Sequence, residues 1–227
     1  MHWKELFYSP VKIQGDEKNI LIIGCVHDGH DPNWPIPIWK DRGYNSAAEF
    51  TEGFISNWNS KANDNTIGFF LGDNCFNDPR GDRFKNLFSR LKFKDAYCLA
   101  GNHYSGYRQV LEEATDNIYE ISPGKRIIFT PNYLEAWINK QAVVLSHYPL
   151  LSWNGQARGS YQIHAHTHSN LGRSVLGKAF IESGARVYEA SVELNPFPPS
   201  FAEIRALMER KPPVSFDHHD SNTQNPF

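Results

Sequence analysis

The segment from 161 to 169 reads YQIHAHTHS and places His164, His166 and His168 at alternating positions. In an extended chain residues i, i+2 and i+4 point to the same side. A strand begun by YQI therefore delivers three imidazoles to one face as it runs into its following loop. Imidazole is the commonest side-chain ligand for transition metals. A lone histidine in a polar loop needs no such explanation, whereas three in alternation favour a metal. Further candidate ligands stand upstream: Cys25 and His27 in GCVHDGH, Asp73 in LGDN, Asn102 and His103 in AGNHY, and His147 in LSHYPL. Two divalent ions roughly 3.5–4 Å apart can share a bridging carboxylate, polarise a phosphoryl group and bring the pKa of a bound water toward neutrality. Asp73 is the natural bridge. Histidines and an Asn carbonyl complete two sets of ligands with less negative charge than carboxylates alone, so an anionic phosphate is less repelled.

The elements that must position these residues are legible as apolar runs. NILIIGCV, TIGFFLGDN and DAYCLAGNH each read as a short buried strand ending in a polar loop that carries the candidate ligands. Between the first two, SAAEFTEGFISNWNS sets Phe50, Phe54 and Trp58 at i, i+4 and i+8 behind Ser46 as N-cap, which predicts an amphipathic helix. Phe84, Leu87, Phe88 and Leu91 predict another. This alternation suggests a mainly parallel sheet with ligands gathered at the carboxyl ends of its strands. From about residue 126 the runs RIIFT, YLEAWIN, QAVVLSH, YQIHAH, KAFIES and RVYEASVEL read as strands. SFAEIRALMER closes the domain as a helix, with Ser200 and Glu203 at capping-box spacing. Residues 1–210 are expected to form a single domain, and 211–227 a flexible tail whose DHHD is an incidental polar cluster.

Composition narrows the function classes. The 227 residues carry 23 Lys and Arg against 25 Asp and Glu, a formal charge of −2, so sequence-independent grip on nucleic acid is not expected. No apolar signal core opens the chain and no run approaches membrane-spanning length, which points to a cytoplasmic protein with no membrane partner. Three cysteines, Cys25, Cys75 and Cys98, are an odd number and fit a reducing compartment better than a disulfide framework. Nothing in the sequence speaks to oligomeric state.

Taken in order, Cys25-Val26-His27, Gly72-Asp73, Gly101-Asn102-His103, His147 and Ala165-His166-Thr167-His168 resemble the D-x-H, GD, GNH, H and GHxH pattern of the calcineurin-like metallophosphoesterases, over roughly residues 20 to 170. The stretches HDGH, NWNS, LGDNCF, HYPLLSWNG and HAHTHSNLG look like small bacterial and phage phosphohydrolases of that family. The resemblance implies an α/β (α+β) fold, a four-layer sandwich of two mixed β-sheets flanked by helices, with the site on loops at one edge. It implies a metal-dependent phosphoesterase that hydrolyses a phosphate mono- or diester through a dimetal-bound hydroxide, with His103 as general acid. One metal would be held by Cys25, His27, Asp73 and His168, and the other by Asp73, Asn102, His147 and His166. Asn102 and His103 would also meet the substrate.

Several positions depart from the pattern. Cys25 stands where the family has Asp; a thiolate is softer than a carboxylate and moves the expected pair of Zn, Fe or Mn ions toward Zn or Fe. Asp28 is the alternative ligand if the thiol does not bind. Tyr104 and Phe76 replace two acids that orient the catalytic histidine in the family, which leaves His103 to other groups such as Asp78 or the Tyr104 hydroxyl. Ala165 replaces a Gly, so the turn before His166 must be an ordinary one. His30 and His164 lie one step outside the pattern and are assigned support or phosphate contact. Among Arg80, Arg83, Arg108 and Arg158, the last, in the loop before the histidine strand, is the preferred phosphate contact. Tyr148 and Trp153 flank that loop as candidates for stacking on a base. The alternative function is a non-catalytic metal-binding or interaction module on the same scaffold, its first metal site degenerate at Cys25.

Overall fold

The structure, a computed structural model, describes residues 10–30, 33, 35, 37–214 and 216. In chain order its strands are β1 (Val11–Ile13), β2 (Ile20–Ile23), β3 (Ile67–Phe70), β4 (Asp95–Leu99), β5 (Ile118–Ser122), β6 (Lys125–Thr130), β7 (Tyr133–Ile138), β8 (Gln141–Ser146), β9 (Tyr161–His164) and β10 (Val187–Glu189). The helices are α1 (Ile38–Asp41), α2 (Ala47–Lys61), α3 (Asp82–Arg90), α4 (Ser105–Leu111), α5 (Val175–Glu182) and α6 (Phe201–Met208). One sheet has the order β2-β3-β4-β6-β5, parallel except for β5, and the other the order β1-β7-β8-β9-β10, parallel except between β7 and β8.

Burial on both faces explains the continuous apolar runs. In β2, Ile20 and Ile22 face the other sheet and pack with β7, β8 and β9, while Leu21 and Ile23 face the helices. The outer face of the first sheet is covered by Phe50, Phe54 and Trp58 of α2 and by Phe84, Leu87 and Phe88 of α3. On the far side, Trp153, Ala185 and Phe180 of α5 cover Val144. Helices, sheet, sheet and a thinner outer layer thus stack as an α/β sandwich of two five-stranded mixed sheets.

Local chemistry fixes the ends. Ser46 caps α2 by accepting from the backbone N–H of Glu49 at 3.1 Å. Ser200 and Glu203 cap α6 reciprocally, the Glu203 side chain accepting from the Ser200 N–H at 2.7 Å. Trp58 seals the helix layer: its ring stacks on Phe70 at 4.7 Å and its indole N–H donates to Lys92 O at 2.9 Å.

Two expectations are corrected here. KAFIES is not a strand but the body of α5, capped by Ser174 and stopped by Gly184 at φ +73°; an apolar run of this length does not by itself distinguish helix from strand. RVYEASVEL is strand only over Val187–Glu189, after which the chain turns away at Ser191. Of the expected tail, Lys211 is docked, its ammonium donating to the carbonyls of Ala185 and Val187, and Val214 packs on the outer layer. DHHD lies outside the described residues. Among the described residues no helix is long and apolar enough to cross a membrane.

Trp58→Ala should destabilise the protein by about 3–5 kcal/mol, read as a shift of the urea midpoint at unchanged slope. A loss below about 1 kcal/mol would mean that the helix layer does not rest on this side chain.

Candidate metal centre

The strand ends of β2, β3, β4, β8 and β9 meet at one edge of the sandwich, and each is followed by a loop bearing a candidate ligand. These loops hold one another by backbone bonds. Cys25 N donates to Gly72 O at 3.1 Å, His27 N to Asp73 O at 2.8 Å and Ala165 N to His147 O at 3.2 Å. Close approach demands glycine twice: a Cβ on Gly72 would lie 2.6 Å from His147 Nδ1, and one on Gly101 would lie 2.0 Å from Asp73 Oδ1. Cys25, His27, Asp73, His166 and His168 all take left-handed backbone, with φ between 47° and 66°. Each such residue costs on the order of 1–3 kcal/mol, and strain of this kind persists where the surroundings over-determine it.

The left-handed backbone overturns one expectation. β9 ends at His164, so His164, His166 and His168 do not share the face of an extended strand. Only His166 and His168 reach the site. His164 is buried below it, its Nδ1 donating to Ala165 O at 2.9 Å. Ala165 itself keeps an ordinary φ, and the positive one falls on His166.

The ligand atoms converge closely. Asp73 Oδ2 lies 3.5 Å from His27 Nε2 and 3.4 Å from His147 Nε2. His27 Nε2 faces His168 Nε2 at 3.2 Å, and His147 Nε2 lies 3.2 Å from His166 Nδ1 and 3.0 Å from Asn102 Oδ1. The ligand atoms of Cys25, His27 and His168 fall within 4.8 Å of one another, as do those of Cys25, Asp73 and His147, and those of His27, Asp73 and His103.

The bonding of these groups tests whether a cation fits. His147 Nδ1 lies 2.7 Å from Leu71 O, which can only accept, so the proton sits on Nδ1 and the Nε2 lone pair points into the site. His168 is fixed in the same sense by Glu193, whose Oε1 is 2.8 Å from its Nδ1. The lone pair of His147 Nε2 thus faces both Asn102 Oδ1 and a carboxylate oxygen, Asp73 Oδ2, that is buried without a hydrogen bond. Acceptors gathered on acceptors are stable around positive charge. The donor set of imidazoles, one thiol, one carboxylate and one amide carbonyl fits two transition-metal ions sharing Asp73.

Electrostatics follow the same geometry. Burial raises the pKa of the Asp73 carboxyl, and the backbone N–H of His103, which donates to Oδ1 at 2.7 Å, lowers it. Burial pushes His27 well below its ordinary range. The Cys25 thiol is raised by burial and by the charge of Asp73, although its sulfur accepts the His166 N–H at 3.0 Å. Without a cation Cys25 is therefore a thiol, and ligation requires it to release a proton.

Two residues that sequence reasoning missed tie the centre together. Arg42 donates to Glu193 Oε1 at 2.6 and 2.9 Å and to the carbonyls of Cys25 and Val26 at 2.6 Å each. It thereby braces the β2 loop against the carboxylate that orients His168. Glu193 is half-buried and held at about 2 because His168 and Arg42 overcome the burial that would raise it. No spacing signal could have found this pair, since 151 residues separate Arg42 from Glu193.

The remaining candidates divide. His103 and Asn102 stand exposed at the rim. His30 packs its ring on Phe76 at 4.3 Å, outside the ligand cluster. Arg158 is corrected: it precedes Tyr161 at the amino end of β9, beside Gln141 and Arg186, whereas the ligands follow the carboxyl end. Asp28 is turned away, accepting from Thr51 Oγ1. Asp78 accepts from the backbone N–H groups of Arg83 and Phe84 at the start of α3 and does not orient His103. Tyr148 abuts His147 and His166 at ring distances of 4.8 and 4.5 Å, but Trp153 is buried and bonded to Ser160.

No family model and no curated protein matches this chain. Among solved structures it is similar to a protein of unknown function, AQ665 from Aquifex aeolicus, with 19% identity over 83% of this chain and 98% of that one and a TM-score of 0.58. At this identity the likeness shows the fold, and it carries the two-sheet architecture but no activity.

Glu193→Gln should weaken binding of one of two ions by roughly 10- to 100-fold, measured by competition with a chromophoric chelator. Unchanged affinity for both ions would show that the Glu193 contact does not hold His168 for metal.

Proposed function

We propose that the protein is a metal-dependent phosphoesterase that hydrolyses a phosphate mono- or diester at this centre. The observation that carries the reading is Asp73 Oδ2, buried without a hydrogen bond between His27 Nε2 and His147 Nε2 at 3.5 and 3.4 Å, where a bridging carboxylate belongs. Cys25, His27, Asp73 and His168 would hold one ion and Asp73, Asn102, His147 and His166 the other. Bound there, two such ions supply Lewis acidity to phosphoryl oxygens and lower the pKa of water.

The chain's own residues account for the rest. Glu193 and Leu71 O fix the protons of His168 and His147 on Nδ1, so that neither imidazole competes as a donor inside the centre. Asp73 also anchors the rim, because its Oδ1 accepts the backbone N–H of His103 at 2.7 Å. This bond places the His103 side chain, exposed and with its ring 5.1 Å from that of His27, beside the ligand cluster. As water adds to phosphorus and the ester P–O bond breaks, His103 gives a proton to the departing oxygen. Imidazole performs such transfers more often than any other side chain.

His103→Asn should lower kcat by about 100-fold or more for an alkyl phosphate, and much less for a nitrophenyl ester, whose leaving group departs without a proton. Equal losses on both esters would remove His103 from the general-acid role. Bound metal without turnover of either ester in Zn²⁺, Mn²⁺ or Fe²⁺ would favour the non-catalytic binding module.

A further inference from the structure

The cavity beside His103 is not explained by the metal centre. It has a volume of about 780 Å³, and Asn102 and His103 are among the residues that line it. Ligand pockets run from roughly 300 to 1,000 Å³, so it can take more than a phosphate. Phe76 lines it with a ring fixed by packing, 4.3 Å from His30 and 5.0 Å from His103. Tyr104 stands at the rim with 51% of its surface exposed. Of its charged groups, Arg108 and Glu112 pair with each other at 3.1 Å, so neither sign dominates. Asn77 and Gln109 add amide donors and acceptors.

We propose that this cavity is the leaving-group subsite and that it takes a nucleoside, an inference that rests on the phosphoesterase reading for its chemistry. A nucleobase offers a π-face to aromatic rings, and stacking of this kind tolerates any base. Its edge pairs with amide side chains as Asn and Gln pair with adenine. An alkyl or glycerol group would make no use of the exposed Tyr104 ring. A leaving group with further phosphates would call for an uncompensated cation, and the arginine here is already paired. The subsite also gives His30 its place, as the packing support beneath Phe76. The same chemistry is presented by a free nucleoside phosphate and by the phosphate end of a single-stranded oligonucleotide.

The test begins with adenosine alone, titrated into the full chain with and without chelator and followed by saturation-transfer NMR. Saturable binding is expected in both conditions, weakened roughly 5- to 150-fold in Tyr104→Ser by the loss of one stacking face. Phe76→Leu, which keeps the wall filled, should weaken it similarly. With metal restored, kcat/KM should favour a nucleoside monophosphate over glycerol phosphate, and comparison with an end-phosphorylated oligonucleotide identifies the source. Turnover of glycerol phosphate without adenosine binding or nucleotide preference would overturn the subsite and leave the esterase standing. Adenosine binding without hydrolysis of any ester in any metal would keep the nucleoside site and remove the esterase.

Discussion

Asp73 places a carboxylate oxygen in the interior with no hydrogen bond and turns it toward the imidazole nitrogens of His27 and His147, the second of which presents a lone pair. A buried anion needs a partner of opposite charge, because desolvation is expensive. On the His147 side, Oδ2 meets a lone pair where a donor would be required. The architecture makes sense around that demand: five strand ends are brought to one edge, two glycines let the loops touch, and the imidazole protons are drawn away to Leu71 O and Glu193.

Holding such a cluster strains the chain. Five of its members sit in left-handed backbone, which non-glycine residues seldom adopt. Two buried layers on either side of the first sheet make the strands rigid enough to impose it. Arg42 extends this rigidity beyond the strands by bonding two carbonyls of the β2 loop and the carboxylate of Glu193 together. Cys25 adds a chemical bias, since its buried thiol becomes a ligand only on losing a proton, and the His166 N–H already directed at sulfur favours the thiolate.

Much of this was legible in the sequence because it is written locally. β2, β3 and β4 are apolar runs closed by glycine and polar residues, and α2 shows its face through Phe50, Phe54 and Trp58 behind a serine cap. The residues of the ligand motifs come together at one edge in spite of the departures at Cys25 and Ala165. What was misread depends on tertiary context. The alternation of His164, His166 and His168 suggested a strand face, yet the strand ends at the first of them and the backbone inverts at the other two. KAFIES has apolar content that suits either element, and Arg158 is near His164 in sequence but at the other end of its strand. Arg42 and Glu193 carry no periodic signal, being joined only when the sandwich closes.

The central claim is that Asp73 is shared between two ions. Crystals of the protein as purified, examined by anomalous scattering at the absorption edges of Zn, Fe and Mn, test it directly. The account predicts two peaks, one against Cys25, His27 and His168 and the other against Asn102, His147 and His166, with Asp73 on both. Asp73 bonded to a water or a protein donor, with no anomalous peak even after soaking in Zn²⁺, would contradict it.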